Sequence, residues 1–141
     1  MGLDAAVYRN RKHLKLGPDE KAAQLVPETG EVYFGSDEIS RKYRDQRHAA
    51  ERRLGNITEI AELREQITRL RGPESVIVQK VLRSGTHSGD SIPLDSIPAL
   101  SAELNSIRNS REQSPELRRF VTSLEELIRA AKNEGNPIVF M

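Results

Sequence analysis

The alternation of apolar and polar positions predicts a strand at the start of the chain. Leu3, Ala5 and Val7 fall on one face by a period of two, and Asp4 falls on the other. Residues 3–8 are therefore predicted to form a first strand that carries one acidic side chain among apolar neighbours.

A second apolar segment, residues 75–90, reads SVIVQKVLRSGTHSGD and contains the most concentrated β-branched run of the chain. Side chains of this type suit a pleated sheet. The apolar residues at its start do not alternate with polar ones, which is typical of a strand covered on both faces. A helix is the competing interpretation. The short length and the flanking Gly-Pro and Ser-Gly pairs favour a central strand over residues 76–82, which delivers the loop 84–90.

Turn residues indicate two further strand regions. In residues 24–34, QLVPETGEVYF, the turn sequence Pro-Glu-Thr-Gly separates two apolar ends and predicts a hairpin. Residues 137–140, PIVF, predict a last short strand.

Apolar residues at helical spacing predict four helices, with boundaries set by capping residues, glycine and proline. Asn56 is a predicted N-cap, and Ser114 followed by Pro115 is the clearest helix start in the chain. Gly135 is predicted to close that last helix. The four helices are predicted over residues 38–53, 57–71, 95–109 and 116–133. The buried face of the last one is predicted to consist of Leu117, Phe120, Val121, Leu124, Leu127, Ile128 and Ala131.

These elements indicate an α+β fold in a single domain of residues 1–141. A mixed or antiparallel sheet is predicted from the N-terminal, central and C-terminal strands plus the hairpin, covered by about four helices. Pairing of residues 4–8, 76–82 and 138–140 in one sheet is the test of this arrangement.

Composition argues against several classes of protein. The chain has 22 Lys and Arg against 21 Asp and Glu, and this near-neutral charge argues against a dedicated DNA-binding domain. Cys is absent, which excludes thiolate chemistry and fits a reducing, cytoplasmic location. The sequence has no signal-peptide pattern and no apolar run of membrane-spanning length, so no membrane association is expected. Phosphate-loop, dinucleotide and zinc signatures are also missing, so no cofactor is expected.

The loop SGTHSGD is the one segment with candidate chemistry. Its members are Ser84, Gly85, Thr86, His87, Ser88, Gly89 and Asp90. Nucleophilic catalysis is disfavoured because triads are recognised by geometry rather than adjacency, and no G-x-S-x-G elbow is present. No catalytic residue and no metal ligand is therefore assigned. The simplest alternative is a structured turn in which Asp90 or Ser88 binds backbone N–H groups.

Two side chains of this loop are expected to interact. We expect His87 and Asp90 to lie close together at the end of the central strand, with Asp90 ordering the loop. If they pair, the pKa of His87 should lie above its usual value of about 6.5. Asp4 and Tyr8 are candidate neighbours of this loop if the first strand lies beside the central one. A metal site would need such additional ligands.

Basic side chains recur at helical spacing in the predicted helix 38–53. They are Arg41, Arg44, His48 and Arg52, with Arg53 adjacent. A stripe of this kind can bind phosphates or an acidic partner. Asp45 and Glu51 lie close enough to offset it, and a solvated face is the commoner outcome.

Several segments resemble a group of small bacterial proteins of uncharacterised function. MGLDAAVY, RRLGN, QKVLRSGTHSGD and NPIVFM match the group's MGLD-x-x-VY start, HR-[LI]-GN segment, VLYSGTHSGD-like loop and PIVF end. Arg52 and Arg83 stand where that pattern often has His and Tyr. The second half, with HSGD, ALSAELNSI, Phe120 and LIRAAKNEGNPIVF, is similar to immunity protein family seventy. Those proteins are thought to neutralise toxins exchanged between competing bacteria.

The resemblance implies a non-enzymatic, cytoplasmic immunity protein that neutralises a polymorphic toxin by protein–protein contact. One alternative is a small ligand-binding or hydrolytic domain that uses Asp4, His87 and Asp90. A second is a nucleic-acid-binding module acting through the basic helix 41–53, although nucleic acid is the less expected partner. A flat or convex surface around His87 favours a protein partner. A deep pocket with convergent polar groups favours a ligand.

Overall fold

A computed structural model of the chain describes residues 2–14, 24–34, 37–85, 87–111 and 113–141. The strands of this part are β1 (Gly2–Tyr8), β2 (Gln24–Leu25), β3 (Val32–Tyr33), β4 (His48–Asn56), β5 (Ser91–Ile92) and β6 (Ile138–Phe140). The α-helices are α1 (Asp37–Lys42), α2 (Ile57–Arg71), α3 (Val76–Lys80), α4 (Ile97–Arg108) and α5 (Pro115–Glu134). Short 3₁₀ turns occupy Arg11–His13 and Leu94–Ser96. The predicted α+β class is confirmed.

The main sheet is antiparallel throughout and has the strand order β4-β1-β6-β5. Ala5 of β1 lies opposite Phe140 of β6 on one side and opposite Arg52 of β4 on the other. The predicted first and last strands are therefore confirmed, and they are neighbours at the centre of the sheet.

The predicted hairpin is confirmed, but it does not join the main sheet. β2 and β3 form a separate two-stranded sheet, with Leu25 opposite Val32. This small sheet lies next to a satellite apolar cluster of Leu14, Phe34 and Tyr43, against which Val32 also packs.

The predicted central strand over residues 76–82 is wrong, because this segment begins with the short helix α3. The hydroxyl of Ser75 accepts the N–H of Val78 at 3.2 Å and caps the helix. The carboxylate of Glu103, in α4, accepts the N–H groups of Val76 and Ile77 at 2.9 and 3.3 Å. Capping of these free N–H groups stabilises a helical turn that the β-branched side chains alone disfavour.

The predicted helix over residues 38–53 is also wrong beyond its first turns. α1 ends at Lys42, a turn follows, and His48–Asn56 runs as the edge strand β4 along the whole of β1. The apolar residues Ala50 and Leu54 are four positions apart, a spacing that places them on one face in a helix and in a strand alike. Both contact the main core.

α2 and α5 lie within one residue of their predicted boundaries and have the predicted caps, whereas α4 begins two residues later than predicted, with Ser96 rather than Asp95 at its N-cap position. The side chain of Asn56 accepts the N–H of Glu59 at 2.8 Å, and Glu59 accepts the N–H of Asn56 at 3.2 Å, a reciprocal capping box for α2. Ser114 caps α5 through the N–H of Leu117 at 3.1 Å. Gly135, with φ +65°, closes α5 in the left-handed conformation.

The main core lies between the helices and one face of the sheet. Leu3, Ala5 and Val7 of β1 contribute to it and are fully buried. All the apolar residues predicted for the inner face of α5 are buried, which confirms that prediction. No helix in the part of the chain that the structure describes has the length and apolar character needed to cross a membrane.

Candidate functional site: the surface around loop 84–90

The loop lies between α3 and β5 and is fastened to the C-terminal strand. Gly89 donates its N–H to the carbonyl of Phe140 at 2.8 Å, and Phe140 donates its N–H to the carbonyl of Asp90 at 2.9 Å. The chain therefore enters β5 already paired with β6. Thr86, one of the predicted loop candidates, lies outside the described residues.

His87 points into the protein rather than into solvent. Its side chain is 3% exposed, and its ring contacts the ring of Phe140 with a centroid distance of 4.2 Å. Nε2 lies 2.7 Å from the carbonyl oxygen of Val81. A carbonyl only accepts hydrogen bonds, so Nε2 carries the proton. His87 thereby holds the loop against the residue after α3 and against β6.

The expected proximity of His87 and Asp90 is confirmed, although the loop follows a helix and not a strand. Nδ1 of His87 lies 3.3 Å from Oδ2 of Asp90. The two side chains are close but not hydrogen-bonded, because Nδ1 has no hydrogen-bond partner among the described residues. The Asp90 carboxylate forms an ion pair with Arg83, and both of these side chains are about half exposed.

The expectation of a raised His87 pKa is wrong. Burial lowers the pKa of His87, because the imidazolium loses its hydration inside the protein. The hydrogen bond to the Val81 carbonyl opposes this shift, while the positive charge of Arg83 adds to it. His87 is therefore neutral at physiological pH and serves as a buried hydrogen-bond donor.

Asp4 and Tyr8 lie on β1, which β6 separates from β5 and its preceding loop. The carboxylate of Asp4 pairs with Arg53 at 3.3 Å. Tyr8 packs against His48, and its pKa is raised by burial and by Glu31, with Arg47 acting in the opposite direction. Within the described ranges, no group of three or more His, Asp or Glu side chains is arranged to hold a metal ion.

The basic residues do not form a helical stripe, because they lie on α1, on the following turn and on β4. Arg52 pairs with Glu126 of α5, with Nε and Oε2 2.5 Å apart. His48 lies 3.1 Å from Glu51, and Arg53 is held by Asp4. Arg41 and Arg44 are exposed. Pairing with acidic neighbours leaves little concentrated positive charge on this edge of the sheet.

An exposed isoleucine lies beside the loop. A Cβ added to Gly85 would come within 3.0 Å of Cγ1 of Ile57, so glycine permits this close approach. Ile57 is 48% exposed at the start of α2, and Met141, directly after β6, is 37% exposed. We define the loop surface as Ile57, Arg83, Gly85, Asp90 and Met141.

Sequence reasoning missed the exposure of Ile57. Its spacing from Ile60, Leu63 and Ile67 placed it on the apolar stripe of the predicted helix, and the other three are buried. Ile57 differs only in being the first residue of α2, directly after the capping Asn56. That position at the helix end is the one sequence signal that distinguished it.

Three cavities formed by the described residues are lined by none of the residues that define the loop surface. One, of about 620 Å³, is lined by residues 44, 45 and 47–52 along β4. Another, of about 480 Å³, lies between β4, α2 and α5, and a third, of about 240 Å³, lies between α4 and α5. None of the three is lined by residues 83–90.

No protein-family model matches the chain, and no curated protein or solved structure matches it significantly. The geometry of the chain and its sequence patterns are therefore the basis for a functional proposal.

Proposed function

We propose that the chain is a non-enzymatic binding protein that engages a protein partner through the loop surface. The observation that carries this proposal is the exposed side chain of Ile57 beside a loop whose histidine is buried. An apolar anchor surrounded by polar groups is the usual arrangement of a protein–protein hot spot. The Arg83–Asp90 ion pair supplies such a polar rim.

A toxin is the proposed partner, which makes the protein immunity-type. The support is the sequence resemblance, whose best anchors are residues 84–90 and 134–140. These two segments are hydrogen-bonded to each other through Gly89, Asp90 and Phe140. The two segments are therefore neighbours in the fold, and Gly85 and Asp90 of the first belong to the loop surface.

The ligand-binding or hydrolytic alternative has less support. Nε2 of His87 is engaged by a backbone carbonyl and Nδ1 is shielded from solvent, and the carboxylates of Asp4 and Asp90 are each paired with an arginine. A general base needs a free nitrogen or oxygen within reach of substrate. The nucleic-acid alternative is likewise weakened by the ion pairs of Arg52 and Arg53.

Co-expression with the proteins encoded next to its gene tests the proposal. We expect one of these proteins to be toxic to a bacterial host, and we expect co-expression of the chain to restore growth. Ile57→Asp should abolish this rescue while preserving the fold, because an acidic residue is favourable in the first turn of a helix. Leu25→Asp is the matched control, since Leu25 is 52% exposed on the separate hairpin. Absence of any rescued neighbour, or full rescue by Ile57→Asp, would contradict the proposal.

A further inference from the structure

A second binding site is indicated by the cavity between β4, α2 and α5. Its volume of about 480 Å³ falls within the usual range of small-molecule sites. Its base is formed by Leu54, Leu63 and Phe120, all at most 5% exposed. Thr122 and Ser123 contribute hydroxyl groups to its wall. The cavity thus combines an apolar base with polar sides.

Five charged side chains line the same cavity, and four of them are already engaged. Glu59 accepts the N–H of Asn56 in the capping box, and Arg53 is paired with Asp4. Arg119 lies 3.8 Å from Glu116. The fifth charged residue of the cavity is Arg118.

The guanidinium of Arg118 has no hydrogen bond or ion pair with any other residue in the described part of the chain. It is exposed and lines the cavity above the apolar base. An arginine in this position presents several N–H donors to a carboxylate without first breaking an internal pair. One unpaired cation next to apolar surface defines the chemistry of the ligand that would fit.

We propose that this cavity binds an amphipathic monoanion, a carboxylate carried on an aliphatic or aromatic body. The body would cover the apolar base, and the carboxylate would pair with Arg118. A single charge balances the one unpaired guanidinium. A multiply charged anion such as a phosphate ester would also face the carboxylates of Glu59 and Glu116, which line the same cavity. The site shares none of the residues that define the loop surface.

Calorimetric titration with decanoate, at concentrations below its micelle formation, tests this site. Decanoate is expected to bind saturably with one molecule per chain. Nonyl glucoside, which has the same nonyl chain as decanoate but no charge, is expected to bind at least about tenfold more weakly, since a charge-assisted hydrogen bond contributes about 1.5–3 kcal/mol.

Variants on α5 distinguish specific binding in the cavity from nonspecific binding to the protein surface. Arg118→Glu should weaken decanoate binding at least about tenfold. Arg129→Glu changes the net charge equally on the same helix but lines the cavity between α4 and α5, and it should leave the affinity unchanged. Thr122→Trp should fill the cavity and prevent binding without altering charge, and circular dichroism verifies that each variant is folded.

The proposal is overturned if decanoate fails to bind the unmodified protein, if the glucoside binds as well, or if Arg118→Glu retains the original affinity. Arg118→Glu should still neutralise the toxic neighbour. A negative result for the ligand site therefore does not contradict the proposed protein-binding function. A negative result for protein binding likewise does not contradict the ligand site.

Discussion

The carboxylate of Glu103 accepts the backbone N–H of Val76 at 2.9 Å, although the two residues are 27 positions apart in the chain. The same carboxylate accepts the hydroxyl hydrogen of Ser75, and both Glu103 and Ser75 are buried. A buried carboxylate is stable only when its oxygens are hydrogen-bonded. The start of α3 provides those donors, and Glu103 in turn satisfies N–H groups that a helix leaves free.

Replacing Glu103 by Ala should destabilise the protein by about 2 kcal/mol, because it removes the carboxylate that accepts the N–H groups of Val76 and Ile77 and the hydroxyl of Ser75. Urea denaturation followed by circular dichroism measures this loss. Glu62→Ala is a suitable control because Glu62 is exposed on α2. A loss for Glu103→Ala no larger than that of the control would show that α3 does not depend on this cap.

Local signals predicted the parts of the fold that depend on neighbouring residues. The caps at Asn56 and Ser114 and the apolar spacing of α5 were sufficient to place α2 and α5. Residues 76–80 could not be assigned in this way, because the carboxylate that makes them helical comes from α4. Residues 48–56 form a strand because they pair with β1. The local sequence does not contain information about this pairing.

The candidate site was predicted only in part, because some of its features also depend on contacts between residues that are distant in the sequence. The approach of His87 to Asp90 follows from two glycines in a short loop. The direction of the His87 pKa shift does not, because it depends on burial against Phe140 at the far end of the chain. The contact between Ile57 and Gly85 likewise joins residues that are far apart in the sequence.

The buried His87 should make stability pH-dependent. Its folded pKa is lowered relative to about 6.5 in the unfolded chain, so the unfolded state binds more protons between these two values. The free energy of unfolding should therefore be unaffected by His87 above about pH 6.5 and should fall as the pH drops below it. NMR titration of the imidazole should give a midpoint below about 6.5.

His87→Gln provides the comparison for this effect, because an amide retains a donor for the Val81 carbonyl but does not titrate. The unmodified protein should lose more stability than the variant when urea denaturation is repeated from about pH 7 down to about pH 5. A His87 midpoint at or above about 6.5 would contradict the neutral, buried role of this side chain.

Gly30 is expected to tolerate no side chain. It has φ +76°, and a Cβ there would overlap the amide of Asn136, whose Nδ2 donates to the carbonyl of Tyr8 at 2.7 Å. Gly30→Ala should cost about 2–3 kcal/mol from backbone strain and from displacement of this buried amide. Gly135→Ala is the control, because Gly135 also has a positive φ, +65°, but has open space around it.

Thermal and urea denaturation of the two glycine variants separate these contributions. Gly135→Ala should cost only about 1 kcal/mol, which is the strain of the left-handed conformation that Gly135 adopts. If both variants lose the same free energy of unfolding, the side chain of Asn136 moves without cost and does not stabilise the position of the hairpin turn against β1.

The basic residues of β4 should give no nucleic-acid binding. Arg52 and Arg53 are occupied by Glu126 and Asp4, so few counterions would be released from a phosphate backbone. Fluorescence anisotropy with labelled duplex and single-stranded DNA at low salt should show no saturable binding. Binding that weakens steeply as salt is added would instead support the nucleic-acid alternative.

The most direct test of the central proposal is the affinity of the purified chain for the toxic protein that is encoded next to its gene. Interferometry should give at least about thirtyfold weaker binding for Ile57→Asp, since truncating or charging a hot spot costs about 2 kcal/mol or more. Leu25→Asp should bind within about threefold of the unmodified chain, which is less than 1 kcal/mol. If Ile57→Asp, shown to be folded, binds as tightly as the unmodified chain, the loop surface is not the site of contact.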